Sequence, residues 1–401
     1  MREIDVKNDV LEILEKDFAG LRCDEPAVSP SFRGGQTAAD NALGTLNISS
    51  YARKRSQVQP LSHRGASRLS PYIRHNLISL RDVWDAVEHN AEDDRTKYRD
   101  ELLWQEFARH AYARLGMRLH SNLRFESPRQ FSPPTGFQPG MACIDAVVEE
   151  LETDGWLVNQ TRMWVASHWA IRQGMNWQAG QEYLYKHLLD GSRAANILGW
   201  QWTVGAGTGK PYGFARWQVN KRAPELCGSC PLNNNCPIEQ FPETETPASI
   251  SPEEFLLARD HNTDATRGPH KVVRRTLPEW VLLTKDSLGD EDPALTANPD
   301  LPVAYVFDQE GLAKLQLSSK RLGFYIETLQ DLAQRRDVSV FIGSQREFAE
   351  NHAVSVTYAP VPAFKKIADV AAEVHPWPWL VEPHGGSIKS YSAWRNKVKL
   401  K

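Results

Sequence analysis

The spacing of apolar residues changes partway along the chain. Up to about residue 241 they recur at helical spacing, as in DELLWQEFARHAYARLG and in GMACIDAVVEELETDGWLVNQTRMWVASHW, where a DG turn separates two helices. Beyond residue 277 the short apolar runs WVLLT, VAYVFD, VSVFIG and VSVTYAP alternate with helical segments, which is typical of buried parallel strands. The pattern predicts an α plus α/β chain, in which an all-helical domain precedes a small, doubly wound parallel sheet.

These patterns divide the chain into four parts. Residues 1–241 are predicted to form the helical domain, 242–276 a linker, 277–381 the α/β domain and 382–401 a basic, aromatic tail. Residues 1–45 are predicted to form an amphipathic helix, a polar loop and a short helix. The linker is expected to be a plain connection or a strap over the surface. The tail can contact DNA or pack on the helical domain.

Composition is ordinary for a soluble globular protein. Of the 401 residues, 41% are hydrophobic and 24% charged, and the formal net charge is -3. The first residues lack the apolar core of a signal peptide, and no run reaches the roughly 18 apolar residues of a membrane span. Five cysteines, three of them within ten residues, favour a reducing cytoplasm with a metal or cluster site over a disulfide scaffold.

One stretch is basic despite the acidic whole. Between Tyr51 and Arg81 there are seven Lys or Arg residues and no Asp or Glu. An anionic partner fits this stretch, and a solvated basic face is the alternative. Within it, Ser67 and Ser70 offer hydroxyls near a helix N-terminus, where a pyrophosphate can bind. A serine that only caps a helix would have the same pattern.

A second informative stretch is LLDGSRAANILGWQW, residues 188–202. Asp190 and Gly191 are predicted to end one helix shortly before the next begins. The junction offers a carboxylate, the Ser192 hydroxyl and free backbone groups to a planar heterocycle, and the small Ala194 and Ala195 let a ring approach the backbone. A capped helix turn with core tryptophans is the alternative.

The helix from residue 100 to 116 carries Glu101, Trp104, Gln105 and Ala108 on one face. A carboxylate beside an indole can hydrogen-bond the edge of a base while the ring stacks on it. The alternative is a core tryptophan beside a solvated glutamate.

Three cysteines, Cys227, Cys230 and Cys236, form the pattern C-x2-C-x5-C-P. Thiols this close, in a loop of Pro, Asn and Gly, indicate a metal or cluster site. The loop contains no histidine, and the proline after the last cysteine is typical of ferredoxin-type runs.

From Tyr51 to Cys236 the chain resembles the photolyase/cryptochrome family, because ASRLS, DG, AAN and WQW follow one another as they do there. Ala66 stands where the family usually has threonine. The resemblance implies an all-helical catalytic domain that binds FAD in a bent conformation. In this sequence the small, Rossmann-like parallel-sheet domain follows it. The FAD-binding residues that it implies are Tyr51, Ser67, Arg68, Leu69, Ser70, Arg162, Asp190, Gly191, Ser192 and Asn196. Arg162 is expected to pair with Asp190 or to face the flavin ring.

The resemblance also implies a light-driven reaction. Excited reduced FAD would donate an electron to a flipped-out cyclobutane pyrimidine dimer, and the electron would return after the ring splits. The implied catalytic residues are Asn196, which would face flavin N5, Glu101 and Asn159. Asn159 stands where photolyases specific for (6-4) photoproducts carry an acidic histidine, which favours the cyclobutane dimer. The implied DNA and lesion contacts are Arg55, Glu101, Trp104, Gln105, Asn159, Met163 and Trp202.

Electron transfer is implied for Trp177 and Trp200, the inner two members of the family's tryptophan chain. The loop before Gly140 has no tryptophan at the place of the outermost member. Another residue must therefore reach the surface, and the candidates are Trp169, Trp156 and Trp217.

The cysteines resemble those of the iron-sulfur bacterial members of the family, which place their remaining ligand where Cys143 stands. The resemblance implies a [4Fe-4S] cluster on Cys143, Cys227, Cys230 and Cys236, with zinc as the alternative. The segment LLTKDSLGDEDPALTANPD resembles the start of the family's N-terminal antenna domain. The chain therefore resembles a circularly permuted member with a shortened antenna-like domain, whose chromophore stays open.

We therefore expect a cytoplasmic, monomeric deoxyribodipyrimidine photo-lyase that acts on UV-damaged DNA, single-stranded or duplex, and does not bind a membrane. The alternative is a cryptochrome-like blue-light receptor that binds flavin without repairing DNA. A third interpretation is an iron-sulfur DNA-binding protein that has lost flavin.

Overall fold

The computed structural model describes residues 1–128, 137, 139–244 and 246–399. Its helices are α1 (Val10–Asp17), α2 (Gln36–Gly44), α3 (Tyr51–Lys54), α4 (Ser70–Arg74), α5 (Leu80–Ala86), α6 (Glu92–Leu115), α7 (Ala142–Asp154), α8 (Asn159–Ser167), α9 (Trp177–His187), α10 (Arg193–Thr203), α11 (Arg216–Arg222), α12 (Pro224–Gly228), α13 (Glu254–Ala258), α14 (Thr263–Arg267), α15 (Pro293–Ala297), α16 (Gln309–Leu315), α17 (Ser319–Leu332), α18 (Gln345–Asn351), α19 (Lys365–Ala368) and α20 (Tyr391–Arg395). Its strands are β1 (Arg2–Ile4), β2 (Val273–Arg274), β3 (Trp280–Leu283), β4 (Val303–Asp308), β5 (Val338–Gly343), β6 (Val354–Thr357) and β7 (Glu373–His375).

The predicted helices of the first part are confirmed. The longest, α6, has three acidic residues in its first turn and Arg114 in its last, an arrangement that the helix dipole favours. The DG turn between α7 and α8 ends α7 at Gly155, which has a φ of 70°. A Cβ there would lie 2.9 Å from a carbon of Leu189 and 3.0 Å from the carbonyl oxygen of His187. Only glycine therefore allows this turn to pack against the segment that follows α9.

The α/β part is a seven-stranded sheet with the order β1-β5-β4-β3-β6-β7-β2. The four predicted strands, β3 to β6, are confirmed and lie parallel, and the sheet crosses over at β3 as in a doubly wound fold. Strand β7 adds a fifth parallel strand that was not predicted. The sheet also has an antiparallel strand at each edge that was not predicted. There β1 pairs with β5 and β2 pairs with β7, both antiparallel.

The proposed division of the chain also needs correction. Strand β1 lies in the predicted helical domain but belongs to the sheet, and Phe18 packs edge to face on Phe307 of β4 at 4.8 Å. The predicted linker contains α13, α14 and strand β2 rather than a plain connection. Residues on one face of the sheet, such as Val281 and Tyr305, share a hydrophobic cluster with the helices, while Leu282 and Val306 on the other face pack with α18 and α19.

The helical segment after VAYVFD forms two helices, α16 and α17. Gln316 follows α16 with a φ of 52°, which ends that helix before α17 begins at Ser319. None of the described helices combines the length and the apolar character needed to cross a membrane.

The C-terminal tail packs on the helical domain. Trp394 of α20 is fully buried, and its indole N–H donates to Nδ1 of His110 on α6 at 2.9 Å. Nε2 of His110 lies 2.9 Å from the carbonyl oxygen of Val381, so a neutral imidazole satisfies both partners. Burial, together with the nearby His384 and Arg109, lowers the pKa of His110 to about 3.

This histidine predicts acid sensitivity. Its pKa in the folded chain is below its ordinary value of 6.5, so the unfolded chain takes up the proton first as the pH falls. We expect its contribution to the unfolding free energy to be complete above pH 6.5 and to fall toward pH 3 by about 1.4 kcal/mol per pH unit. In denaturant titrations, His110→Asn should reduce this pH dependence, whereas His89→Asn, at an exposed position, should not. Equal pH dependence in both variants would contradict the assignment.

Candidate functional site

A cavity of about 800 Å³ lies between the helical domain and the carboxyl ends of the parallel strands. Its helical wall comes from α3, α6, α8 and α10. Its other wall includes Thr284, Lys285 and Asp286 after β3, and Asp308 at the end of β4. Ligands of doubly wound sheets bind at this edge, so both halves of the chain contribute to one site.

One face of α10 forms an open, flat part of the wall. Ala194, Ala195, Leu198, Gly199 and Trp202 repeat with helical spacing and all line the cavity. A Cβ added to Gly199 would meet no atom within 4 Å. A glycine inside a helix costs about 1 kcal/mol relative to alanine, and here it leaves room for a planar group against the backbone.

The turn before α10 places a buried carboxylate at the cavity. Asp190 is 8% exposed, and its Oδ2 accepts a hydrogen bond from Arg162 at 2.7 Å, which confirms the predicted pair. Arg162 also donates through Nε to the carbonyl oxygen of Leu157 at 3.1 Å. Oδ1 of Asp190 is buried and has no hydrogen-bond partner among the described residues. An unpaired buried acceptor is costly, so this oxygen suits an N–H donor of a ligand.

The backbone of the same turn is held from several sides. The carbonyl oxygen of Gly191 accepts hydrogen bonds from Arg74 at 3.1 Å and from Arg321 of α17 at 2.8 Å. The amide of Leu189 donates to the carbonyl oxygen of Gly155 at 2.8 Å. A Cβ on Gly191 would lie 2.4 Å from a guanidinium nitrogen of Arg321, so this glycine makes room for the arginine and does not itself line the cavity.

The predicted phosphate-binding stretch borders the cavity through three of its four residues. Ser67, Arg68 and Ser70 line the cavity. Leu69 is fully buried in the core at the start of α4 and does not. The Ser70 hydroxyl accepts a hydrogen bond from the indole N–H of Trp156 at 2.9 Å, which leaves its own proton for another acceptor.

The mouth of the cavity is aromatic and charged on its α6 side. Glu101, Trp104 and Gln105 line it together, as the helical spacing predicts. Trp104 is 40% exposed and stacks on Tyr391 with ring centres 3.9 Å apart. Arg55 lies 3.4 Å from the Glu101 carboxylate and holds it at the edge of the site.

The opposite side of the mouth carries the remaining predicted lesion contacts. Trp202 is 40% exposed and packs against Tyr212 at 5.3 Å. Asn159, the first residue of α8, and Met163 one turn later also line the cavity. Tyr51 lines it from α3 and is buried. The structure thus gathers the predicted lesion residues around one opening.

Sequence reasoning missed the contribution of the α/β half. Arg74 pairs with the buried Asp286 at 2.7 Å, across the boundary between the two halves. Burial raises the pKa of Tyr185, but the cations Lys285, Arg321, Arg193 and Arg74 outweigh it and lower the value to about 7. The sequence could have predicted this wall of the cavity, because Asp286 and Asp308 lie at the carboxyl ends of predicted strands, where ligands of such sheets bind.

The structure does not support the expected position of Asn196. Its side-chain amide nitrogen donates to the carbonyl oxygen of Gln181 at 2.7 Å, and the residue is not part of the cavity lining. Gln181 belongs to α9, so this hydrogen bond holds the Asn196 amide against that helix. Asn196 thus does not line the cavity in this structure, and its expected place at flavin N5 stays a prediction.

The tryptophans of the expected electron path belong to α9 and α10 and lie outside the cavity lining. Trp177 and Trp200 are buried and do not line the cavity. A Cβ on Gly180 would lie 2.3 Å from Trp200 and 2.8 Å from Trp169, so both indoles pack at this glycine. Trp169 and Trp156 are buried, whereas Trp217 is exposed. Trp169 is thus close to Trp200 but does not itself reach the surface.

The predicted metal-binding cysteines converge. Cys143 of α7, Cys227 of α12, Cys230 and Cys236 line one small cavity of about 20 Å³, together with Arg216. All of them are free thiols. Burial and the other three cysteines raise the pKa of Cys143 to about 12, because neighbouring thiolates repel its charged form. A bound cation would relieve this repulsion.

Comparisons with known proteins find similarity within the helical half. Residues 98–219 match the family described as the FAD binding domain of DNA photolyase. The deoxyribodipyrimidine photo-lyase of Synechococcus sp. is 29% identical over 189 residues, which cover 43% of this chain and 39% of that protein. The enzyme of the same name from Thermus thermophilus is 30% identical over 203 residues, 48% of this chain and 46% of that protein. The match thus spans less than half of each relative's length.

Among solved structures, the Synechocystis sp. cryptochrome is similar with a TM-score of 0.46 and 24% identity, covering 53% of this chain and 50% of that one. This likeness carries no argument here, and the similarity to the photolyase family depends on the sequence matches.

The residues present suit FAD. The unpaired oxygen of Asp190 can accept an N–H from the flavin edge, and the face around Gly199 has room for its rings. Ser67, Arg68 and Ser70 offer hydroxyl and guanidinium donors to a pyrophosphate. Donors and open space therefore lie on the walls of one cavity.

Filling the open face should displace the flavin without unfolding the chain. We expect Gly199→Leu to purify with less than a tenth of the wild-type ratio of flavin to protein, measured from visible absorption. Gly44→Leu is the matched control, since Gly44 is also a helix glycine with no atom within 4 Å of a Cβ, but lies outside the cavity. Equal flavin content in both variants would show that the flavin does not lie on α10.

Proposed function

Because the helical half of this chain belongs to the photolyase/cryptochrome family, we propose that it is a light-driven DNA repair enzyme that splits cyclobutane pyrimidine dimers. The observation that carries the proposal is the mouth of the cavity. Two half-exposed indoles, Trp104 and Trp202, line it together with the carboxylate of Glu101 and the amide of Asn159. Such a ring of groups suits an extruded pair of pyrimidines.

Each group at the mouth has a task in holding the lesion. The faces of Trp104 and Trp202 offer stacking surfaces to bases that have left the duplex. The Glu101 carboxylate, fixed by Arg55, can accept the N3–H of a thymine, and the Asn159 amide can pair with a carbonyl oxygen. FAD, when bound, supplies the light-driven electron. The reaction is redox-neutral overall, because two C–C bonds break and the electron returns.

The choice of cyclobutane dimers over (6-4) photoproducts follows from Asn159. An amide can donate and accept hydrogen bonds but cannot act as a proton donor in acid catalysis near neutral pH. Asn159 is exposed at the start of α8 and lines the cavity mouth. Ring splitting needs no proton transfer from this position, so the amide is sufficient.

The approach to the mouth is basic. Arg53 and Lys54 are exposed on α3, the helix that contributes Tyr51 to the cavity. Arg55 follows them at the mouth itself. Cations here can neutralise backbone phosphates on either side of a flipped lesion, and such contacts do not distinguish single strands from duplex.

We also propose that the α/β half takes the place of the family's antenna domain, in a circularly permuted order. The support is its position, since the carboxyl ends of β3 and β4 face the cavity. The permutation leaves Arg321 of α17 in contact with the turn at Gly191.

The cysteines are proposed to hold a [4Fe-4S] cluster. The support is that Cys143, Cys227, Cys230 and Cys236 line one small cavity together. Four thiolates can hold a [4Fe-4S] cluster at its four corners or a single zinc ion. The proline after Cys236, which is typical of ferredoxin-type runs, favours the cluster.

Iron analysis tests this site. Protein prepared without oxygen should contain about four iron atoms per chain and show the broad visible absorption of a cluster. Cys230→Ser should lose most of the iron, and Cys23→Ser, which changes an exposed thiol elsewhere, should keep it. One zinc ion per chain and no iron would overturn the cluster in favour of a structural metal.

Repair itself is tested with an oligonucleotide that contains one cyclobutane thymine dimer, given single-stranded and as duplex under blue light with reductant. The wild type should restore the thymines in light and not in the dark. Trp104→Ala should weaken binding of the damaged strand about tenfold to a hundredfold, since stacking on one base is worth about 1–3 kcal/mol. Asn159→Ala should lower repair as well.

The matched control is Phe241→Ala, because Phe241 is an exposed aromatic residue that does not line the cavity. It should repair like the wild type. If the flavin is photoreduced but neither substrate is repaired, the proposal fails. The cryptochrome-like receptor would then be the better interpretation.

A further inference from the structure

A second group of metal-ligand side chains lies outside both sites described above. The thiol of Cys23, a carboxylate oxygen of Asp24 and a ring nitrogen of His187 lie within 4.8 Å of one another. Cys23 and Asp24 belong to the loop after α1, and His187 is the last residue of α9. The group therefore joins segments that are far apart in the sequence.

The two loop ligands are fixed by the start of α17. Asp24 accepts a hydrogen bond from the Ser319 amide at 2.6 Å and pairs with Lys320 at 2.8 Å. The amide of Cys23 donates to the carbonyl oxygen of Leu317 at 3.2 Å. The thiol and the carboxylate are thus held in place by backbone and side-chain contacts before any ligand arrives.

The histidine belongs to α9, and one of its ring nitrogens lacks a hydrogen-bond partner among the described residues. His187 is 8% exposed, and its Nδ1 is buried with no hydrogen-bond partner among the described residues. Leaving a buried polar atom without a partner costs about 1–3 kcal/mol. The amide of Ser318 donates to the carbonyl oxygen of Lys186, so the end of α9 is tied to the same turn that fixes Asp24.

We propose that Cys23, Asp24 and His187 bind a divalent transition-metal ion, with water as the fourth ligand. Zinc fits this set best, because thiolate, imidazole and carboxylate are its usual protein ligands and a tetrahedral site with one open position accepts water. On binding, the Cys23 thiol releases its proton to solvent. The thiol is exposed, which gives the ion a route of entry.

The site would link the N-terminal segment to the helix that leads into the flavin cavity. Its ligands connect the N-terminal segment with α9, and α9 leads directly into the turn that carries Asp190. Lys320 shares the Asp24 carboxylate and repels a cation, so we expect weaker binding than at a site of four thiolates. This proposal does not depend on the repair activity.

Cobalt binding tests the proposal with the full-length protein. After chelator treatment that removes loosely bound metal, Co2+ is added, and the absorption bands of tetrahedral cobalt with a thiolate ligand are recorded. The wild type should bind one more Co2+ per chain than Cys23→Ser, and zinc should displace it. Comparing these two proteins isolates this site from Cys143, Cys227, Cys230 and Cys236, which both proteins retain.

The other variants separate ligands from neighbours. Asp24→Asn and His187→Gln should weaken Co2+ binding at least tenfold, whereas Glu25→Gln, which removes the exposed carboxylate next to Asp24, should not. Zinc should raise the melting temperature of the wild type more than that of Cys23→Ser. If Cys23→Ser binds the same amount of Co2+ with the same spectrum and gains the same stability from zinc, the proposal is wrong. This comparison uses only the wild type and Cys23→Ser, so it decides the question even if His187→Gln does not fold.

Discussion

The buried turn between α9 and α10 is the point on which the two halves of the molecule converge. The Gly191 carbonyl accepts hydrogen bonds from Arg74 of the helical half and Arg321 of the α/β half, and Asp190 pairs with Arg162. Arg321 is fully buried, so its hydrogen bonds compensate for the burial of its charge, and each bond to a charged group is worth about 1.5–3 kcal/mol. The cavity therefore keeps its shape only while both halves are folded together, and the α/β half is part of the site whether or not it binds a chromophore.

The cavity combines two kinds of wall that serve different parts of one cofactor. The α10 face around Gly199 is flat and apolar, which suits stacked rings. The stretch from Ser67 to Ser70 offers hydroxyl and cationic donors, which suit phosphates. The lesion contacts lie around the mouth rather than deeper inside. Under the proposed function, a ring system bound near Asp190 would lie between that turn and a substrate at Trp104 and Trp202.

Some of this could be predicted from sequence, because the patterns concerned are local. The runs that became β3 to β6 are continuous and apolar, and the Arg162–Asp190 pair follows from the family resemblance. Strands β1 and β7 have only three residues each, and their pairing is decided by distant neighbours. Arg321 lies in an ordinary helical pattern, and only the fold brings it to Gly191. The hydrogen bond between Asn196 and Gln181 of the preceding helix could not be predicted from sequence, because only the packing of α9 against α10 brings the two residues together.

The central claim is that one cavity, built by both halves, holds FAD with its ring system against α10. An experimental structure of the purified, flavin-containing protein tests it most directly. The account predicts density for the isoalloxazine over Gly199, with a flavin N–H within hydrogen-bond distance of the unpaired Asp190 oxygen. Flavin density elsewhere, or a cavity filled by a rearranged side chain with Asp190 still unpaired, would contradict it.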